Sequence, residues 1–220
     1  MQAHCVKHIN GPAAFQMAFG VSRETTAQLE IYAALLKRWQ KTINLVAPST
    51  LDDIWHRHFA DSAQLWALRP ETATSWLDLG SGAGFPGLVL AILAAETGGT
   101  RHTLAESDTR KAAFLREVAR EVGVAVDILC TRIESPETHS KVERIDCVTA
   151  RALAPMPRLL QLAHGCFRPG TTGLFLKGRG VRSELDAAAA DWDFAAEVVA
   201  SRTEADAAVV IVRQLRRKVL

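Results

Sequence analysis

Cysteine is sparse in this chain, and its placement removes several options at once. The four cysteines, at positions 5, 130, 147 and 166, form no close pair and no C-x-x-C. Neither a disulfide framework nor a four-cysteine zinc site is indicated, so a reduced, cytoplasmic setting is expected. The one group with metal-ligand character, His4, Cys5 and His8, precedes the first credible element and reads as a loose terminus, so no metal is expected. Long apolar runs are also missing. None approaches the ~20 residues that span a bilayer, and the first residues lack the apolar core of a secretory signal. Membrane partners are therefore not expected.

Charge of one sign is lacking too. With 26 basic and 24 acidic residues the net charge is +2, which does not by itself announce a nucleic-acid partner. The basic groups are unevenly placed, however. Lys37, Arg38 and Lys41 cluster early, Lys177 and Arg179 flank a glycine, and Arg213, Arg216, Arg217 and Lys218 end the chain. Such runs are usually solvated faces, and the terminal one reads as frayed or as an RNA contact.

At 220 residues the chain suits one packed unit. Residues 1–20 read as a flexible leader, 21–70 as a helical extension and 71–220 as an α/β domain packed with it. Leu29, Tyr32, Leu36, Trp39 and Ile43 recur at helical steps after Ser22. Ser49 with Asp52 resembles a capping box and predicts a second helix to about Leu68. On that helix Ile54, His58, Asp61 and Leu65 share a face, so two polar groups either line a pocket or pair with something buried.

Beyond Pro70 short apolar runs alternate with helical stretches, the rhythm of a parallel sheet with crossover helices. The predicted strands are 75–79, 101–105, 125–129, 145–150 and 173–177, followed by an antiparallel pair at 196–201 and 207–213. Helices are predicted near 108–122, with Asp108 as cap and Gly123 as stop, and near 183–191.

The first strand runs into Trp76-Leu-Asp-Leu-Gly-Ser-Gly-Ala-Gly-Phe-Pro-Gly87, a loop whose glycines let backbone approach a ligand. Pro86 is read as the first helical residue. Gly82, Gly84 and Gly87 also satisfy G-x-G-x-x-G, with Glu106 19 residues further on, so a dinucleotide site fits the same letters. Three features favour S-adenosylmethionine. Asp78 at the strand end suits a methionine ammonium and would oppose a pyrophosphate; the remaining chain is too short for a separate substrate domain; and an edge hairpin would give seven strands. On either reading Glu106 is placed for a ribose diol, with Ile133 beside the adenine as backbone donor or apolar contact and Glu134 as contact or exposed cap.

The end of the fourth strand, Thr149-Ala-Arg-Ala-Leu-Ala-Pro-Met-Pro157, lacks the N-P-P-Y-like turn of amino-group methylation and the cysteine nucleophile of carbon methylation. An acceptor nitrogen with a lone pair and no proton, such as guanine N7, needs no general base and is consistent with that. Arg151 ends a central strand, where it can grip a carboxylate or guanine O6 or brace the loop. His58 and Asp61 either close the pocket or form a structural pair, and Lys177 is read as holding a phosphate or the base. Arg110 and Lys111 oppose the helix dipole at the start of their helix, which calls for an anion nearby.

Asn44-Leu-Val, Arg57-His-Phe-Ala-Asp-Ser62, Asp78-Leu-Gly-Ser-Gly-Ala-Gly-Phe-Pro-Gly87, Glu106-Ser-Asp with Lys111 and Phe114-Leu, Arg132-Ile-Glu134, Thr149-Ala-Arg-Ala152 and Leu176-Lys-Gly178 stand in order along the chain. On these motifs the chain resembles, over nearly its whole length, the bacterial small-subunit ribosomal RNA guanine-N7 methyltransferases, also called the glucose-inhibited division protein B family. The resemblance implies a doubly wound, Rossmann-like seven-stranded sheet with an N-terminal helical extension. It implies S-adenosylmethionine as cofactor, held by Gly80, Phe85, Ile133, Glu134 and Arg151 with Glu106 at the ribose, and Asp78 and Gly82 belong to the same loop. It implies that the acceptor is a guanine of 16S ribosomal RNA, free or in the small subunit, and a monomer is expected. The catalytic candidates are Arg151, His58 and Lys177. Two rivals make different predictions: a small-molecule methyltransferase or dehydrogenase would show a closed apolar pocket, and an assembly factor on the same fold would bind RNA without transferring methyl.

Overall fold

The computed structural model describes residues 7–135, 138 and 144–218. Its centre is a seven-stranded sheet in the order β3-β2-β1-β4-β5-β7-β6. The strands are β1 (Ser75–Leu79), β2 (Arg101–Ala105), β3 (Asp127–Leu129), β4 (Cys147–Arg151), β5 (Thr172–Lys177), β6 (Trp192–Ala200) and β7 (Ala208–Arg217). The first five run parallel, and β7 lies antiparallel to both β5 and β6. The predicted seven-stranded α/β sheet is thus what the chain forms, and its strand order reverses between β1 and β4. In open α/β sheets the carboxyl ends of strands at that reversal form a crevice where ligands bind.

The helices are α1 (Pro12–Phe19), α2 (Arg23–Trp39), the short α3 (Asp61–Ala63), α4 (Gly87–Ala95), α5 (Thr109–Val122), α6 (Met156–Ala163) and α7 (Val181–Ala188). The sequence dictates their ends. The Ser22 side chain accepts from Thr25 N at 3.0 Å to open α2, Asp108 accepts from the Arg110 and Lys111 amides to open α5, and Gly123 closes it at φ 69°. Each such N-cap contributes about 1 kcal/mol. The apolar stripe of α2 meets α4 and α5 on one face of the sheet, with Leu29, Tyr32, Leu36, Leu88, Ile92, Phe114 and Leu115 all buried. On the other face α6 and α7 cover Leu77, Leu79, Val148 and Phe175.

Several boundaries differ from the sequence reading. Residues 1–20 are not simply a leader, because α1 lies within them, Phe15 has no exposure and Ile9 is 3% exposed. His4 and Cys5 lie outside the described residues. The second helix is not one helix. Pro48–Thr50 is a 3-10 turn, Trp55–Ala60 a π-helix, Asp61–Ala63 α-helical and Gln64–Leu68 3-10 again, with no side-chain cap at either Ser49 or Asp52. Pro86 stands one residue before α4 rather than inside it. The basic end is not frayed through 217, since Arg213, Arg216 and Arg217 belong to β7 and Arg213 pairs with Glu197 at 3.5 Å. No helix is long and apolar enough to cross a membrane among the described residues.

Candidate functional site

The glycine loop is organised from beneath by Asp78. Its side chain is buried, and it accepts hydrogen bonds from Thr149 Oγ1 at 2.7 Å, from Gly87 N at 3.2 Å and from Ser81 Oγ. Burial raises its pKa to about 6, opposed by the Ser81, Thr149 and Gly87 donors and by Arg151. Asp78 was expected to face a methionine ammonium; these three bonds occupy acceptor positions on both of its oxygens. Its acceptors are directed at the loop and at β4. The same packing fixes two glycines. A Cβ at Gly87 would stand 2.6 Å from Asp78 Cβ, and one at Gly80, where φ is +63°, would stand 2.6 Å from Leu153 Cδ1. At Gly87 the packing leaves no room for a side chain, and at Gly80 the left-handed backbone conformation favours glycine.

Above the loop lies a cavity of about 320 Å³ lined by Gly80, Gly82, Glu106, Lys111, Ile133 and Glu134, among others. Glu106 directly follows β2 and is only 8% exposed. Its Oε2 accepts from Gly82 N at 2.7 Å and its Oε1 from Asp108 N at 2.8 Å. A carboxylate has about four acceptor positions, so these two bonds aim the group and leave it able to accept from hydroxyls. Gly82 has open space where a Cβ would stand, its nearest neighbour being Gly80 O at 3.8 Å. Ile133 supplies an apolar wall, while Glu134 is exposed and pairs with Arg158 at 2.6 Å. A diol-accepting carboxylate, bare glycine backbone and an apolar wall fit an adenosyl group. For Arg110 the anion sought is within the protein, the Asp108 carboxylate at 3.6 Å, while Lys111 lines the cavity.

A second cavity, of about 670 Å³, adjoins the first at Ala152, which lines both. Ala152 takes φ +51°, a left-handed conformation costly for a side-chain-bearing residue, and so turns the chain sharply after β4. Arg151, the last residue of β4, is aimed into this second cavity. Its Nη2 meets His58 Nδ1 at 2.9 Å, its Nη1 donates to Arg57 O at 3.1 Å and lies 3.5 Å from Asp61 Oδ2, and its guanidinium sits 4.7 Å over the Phe85 ring. Burial lowers its pKa, against the pull of Asp61 and Tyr32. Phe85 is itself stacked between Tyr32, at 5.3 Å, and His58, at 4.8 Å. Phe85 therefore supports Arg151 from below and does not line either cavity.

His58 and Asp61, predicted to share a face, both line the larger cavity. Burial and the neighbouring Arg151 and Arg57 charges lower the His58 pKa to about 3. With Nδ1 receiving Arg151 Nη2, the proton sits on Nε2, which meets Thr50 Oγ1 at 2.8 Å. The irregular helical turns between Pro48 and Leu68 make this possible, because the π-helix changes the angular step and turns Arg57, His58 and Asp61 towards β4. Lys177 also lines the cavity, but its ammonium is engaged by Glu184 Oε2 at 2.6 Å and Ala154 O at 2.9 Å. Arg179 pairs with Asp206 at 3.3 Å. Among the described residues no group of three His, Cys, Asp or Glu side chains is arranged to hold a metal ion.

Sequence reasoning missed the supporting side chains. Thr203 Oγ1 donates to Asp61 Oδ1 at 3.0 Å, Gln64 Nε2 donates to the same oxygen at 2.9 Å, and Glu204 pairs with Arg57. Thr203 and Glu204 lie in the β6–β7 connection, far along the chain, and carry no local signal. Tyr32 was visible only as a member of an apolar stripe, yet its hydroxyl donates to Ala83 O in the glycine loop.

Comparison with known proteins agrees with the fold and the motifs. Residues 25–213 match the family described as rRNA small subunit methyltransferase G. The proteins named ribosomal RNA small subunit methyltransferase G from Parvibaculum lavamentivorans and Rhodospirillum centenum are similar throughout. The first is 49% identical, covering 91% of this chain and 88% of that protein. The second is 53% identical over 89% and 87%. Among solved structures, Aeropyrum pernix fibrillarin with natively bound S-adenosyl-L-methionine superposes with a TM-score of 0.55 at 17% identity over 72% of this chain and 75% of that one. A TehB-like SAM-dependent methyltransferase from Corynebacterium glutamicum gives 0.53 at 14% over 84% and 97%. These two establish the fold alone. The family match and the near-half identity over nine-tenths of the chain go further: the chain belongs to the rRNA small subunit methyltransferase G family.

Proposed function

We propose that this protein transfers the methyl group of S-adenosylmethionine to N7 of a guanine in 16S ribosomal RNA, acting as a cytoplasmic monomer on the free RNA or the small subunit. The observation that carries the reading is the meeting at Ala152 of a glycine-lined cavity holding Glu106 with a larger cavity holding Arg57, Arg151, Lys177 and Arg179 beside Asp61, Glu184 and Glu204. The first has the groups for an adenosyl moiety. The second has four cations, each held by a carboxylate of the protein that an RNA phosphate would displace or share, and the phosphate backbone dominates affinity in such complexes. A small-molecule enzyme would instead favour a closed apolar chamber.

When bound, the cofactor would supply a sulfonium-activated methyl group, whose carbon–sulfur bond breaks to release the thioether as the acceptor lone pair bonds to the methyl carbon. Everything else falls to this chain. Gly80 and Gly82 bring bare backbone to the ligand, Glu106 accepts from the ribose hydroxyls, Ile133 packs on the adenine and Glu134 closes that end. Asp78 and Phe85 act from beneath, Asp78 by holding the loop and Phe85 by supporting Arg151. Arg151 binds the methionine carboxylate or guanine O6 and fixes the angle of approach, a positioning effect of the kind that supplies much of the rate in bimolecular transfers. His58 is neutral at working pH and orients Arg151. No proton leaves guanine N7 during transfer, so no side chain is needed as general base. Lys177 sets the floor of the acceptor cavity and can exchange Glu184 for a phosphate.

The test is methyl transfer from labelled cofactor to small subunits that lack the modification, with digestion to nucleosides. Labelled 7-methylguanosine supports the proposal. Label in any other nucleoside, or RNA binding without label, contradicts it.

A further inference from the structure

Asp61 stands apart from the other carboxylates of the larger cavity in how incompletely it is used. Glu184 and Glu204 each hold a cation at close range. Asp61 has one oxygen fully engaged and one nearly idle. Its Oδ1 accepts from Gln64 Nε2 at 2.9 Å and from Thr203 Oγ1 at 3.0 Å. Among the described residues its Oδ2 has only Arg151 Nη1, at 3.5 Å, beyond a good hydrogen bond. The side chain is 18% exposed and lines the cavity that adjoins the glycine loop. A carboxylate held by one oxygen, with the other short of donors in a largely buried place, is costly unless a ligand completes it.

We propose that Asp61 is the residue that identifies the acceptor base as guanine, Oδ2 accepting from the ring N1–H and the exocyclic N2 amino group. The inference rests on the functional reading above. Guanine alone among the RNA bases places two donors side by side on its Watson–Crick edge, the edge that enzymes acting on an unstacked base commonly read. Adenine would set its N1 lone pair against the carboxylate. N7 lies on the opposite edge of guanine, so a base held by Asp61 offers its methyl acceptor unobstructed, with O6 between the two edges and within reach of a cation such as Arg151. Gln64 and Thr203 act as positioning residues, since their bonds to Oδ1 fix which oxygen faces the base.

The experiment compares small subunits reconstituted with 16S RNA carrying either guanine or inosine at the acceptor position. Inosine keeps N7 and N1–H but lacks the N2 amino group. The native protein should lose about ten- to hundredfold in kcat/KM on inosine, the loss expected when one hydrogen bond to a charged group goes. Asp61→Asn should fall at least as far on guanine and treat the two RNAs alike. The guanine-to-inosine ratio is independent of the fraction of protein folded, so a merely structural defect would leave it unchanged. Thr203→Val, which frees Oδ1, should shrink the ratio as well. Equal rates on both RNAs with native protein, or an undiminished ratio in Asp61→Asn, would overturn the proposal while leaving N7 transfer intact. No N7 transfer to guanine by native protein would instead overturn the functional reading and this inference with it.

Discussion

A buried ionisable side chain must be neutralised, paired or tuned, and this protein uses all three solutions within a short distance. Arg151 is paired weakly with Asp61 and more closely with a neutral His58. Replacing Arg151 by Ala should lower turnover about a hundredfold, the scale of a lost positioning contact, with the pH profile of kcat unchanged. A new pH dependence would show that proton transfer had become part of the reaction. Stability carries its own pH signature. Burial lowers the pKa of His102, 4% exposed, from 6.5 to about 4. A depressed folded pKa means full stability above pH 6.5, with loss as pH falls through about 4. The shift corresponds to about 3 kcal/mol. Asp78, raised from 3.8 to about 6, acts in the opposite sense, since its contribution is present at low pH and disappears as pH rises through 6. Because the two oppose each other, the comparison is with His102→Gln: from pH 7 to 4 the unfolding free energy of the native protein should fall relative to that of the variant, by up to about 3 kcal/mol. An identical slope would remove His102 from the account.

Elements differ in how clearly the sequence announced them. The strands were legible because short apolar runs alternate with helical stretches, and the glycine loop because the first of these runs ends in glycines that a tight turn requires. The stretch 49–68 was not, because its residues keep a helical stripe while the backbone changes from 3-10 to π and back. Periodicity at single-residue resolution does not register such changes, so the sequence placed His58 and Asp61 on a shared face without showing what they meet. Asp78 was placed at the loop, but its bonds to Ser81, Gly87 and Thr149 were not foreseen, because a strand-end carboxylate looks the same whether it faces a ligand or the loop's own amides. A Gly87→Ala substitution should abolish cofactor binding by calorimetry, since its Cβ would collide with Asp78. Near-native affinity would show that the loop can relax. The first helix was missed because eight residues beginning at Pro12 are too short to give a strong pattern. Phe15→Ala should cost about 3–5 kcal/mol, as for other fully buried phenylalanines. A loss below about 1 kcal/mol would restore the view of residues 1–20 as a passive leader.

At the scale of the whole molecule, the switch in strand order places two cavities side by side at the carboxyl edge of the sheet. The α2 helix and the irregular segment after Pro48 reach over that edge, and the β6–β7 connection reaches it from the other side through Thr203 and Glu204. Segments from both ends of the chain therefore help to build the larger cavity, and only the middle of the chain builds the smaller one. That division explains why the cofactor was readable from a local motif and the acceptor came from family resemblance. The most direct measurement is to map N7-methylguanine in 16S RNA by borohydride reduction and aniline cleavage, after incubating the protein and S-adenosylmethionine with small subunits from cells lacking the activity. One new cleavage site, absent when Arg151→Ala replaces the native protein at the same short time, is the predicted result. No new cleavage under conditions where the cofactor binds would contradict the account.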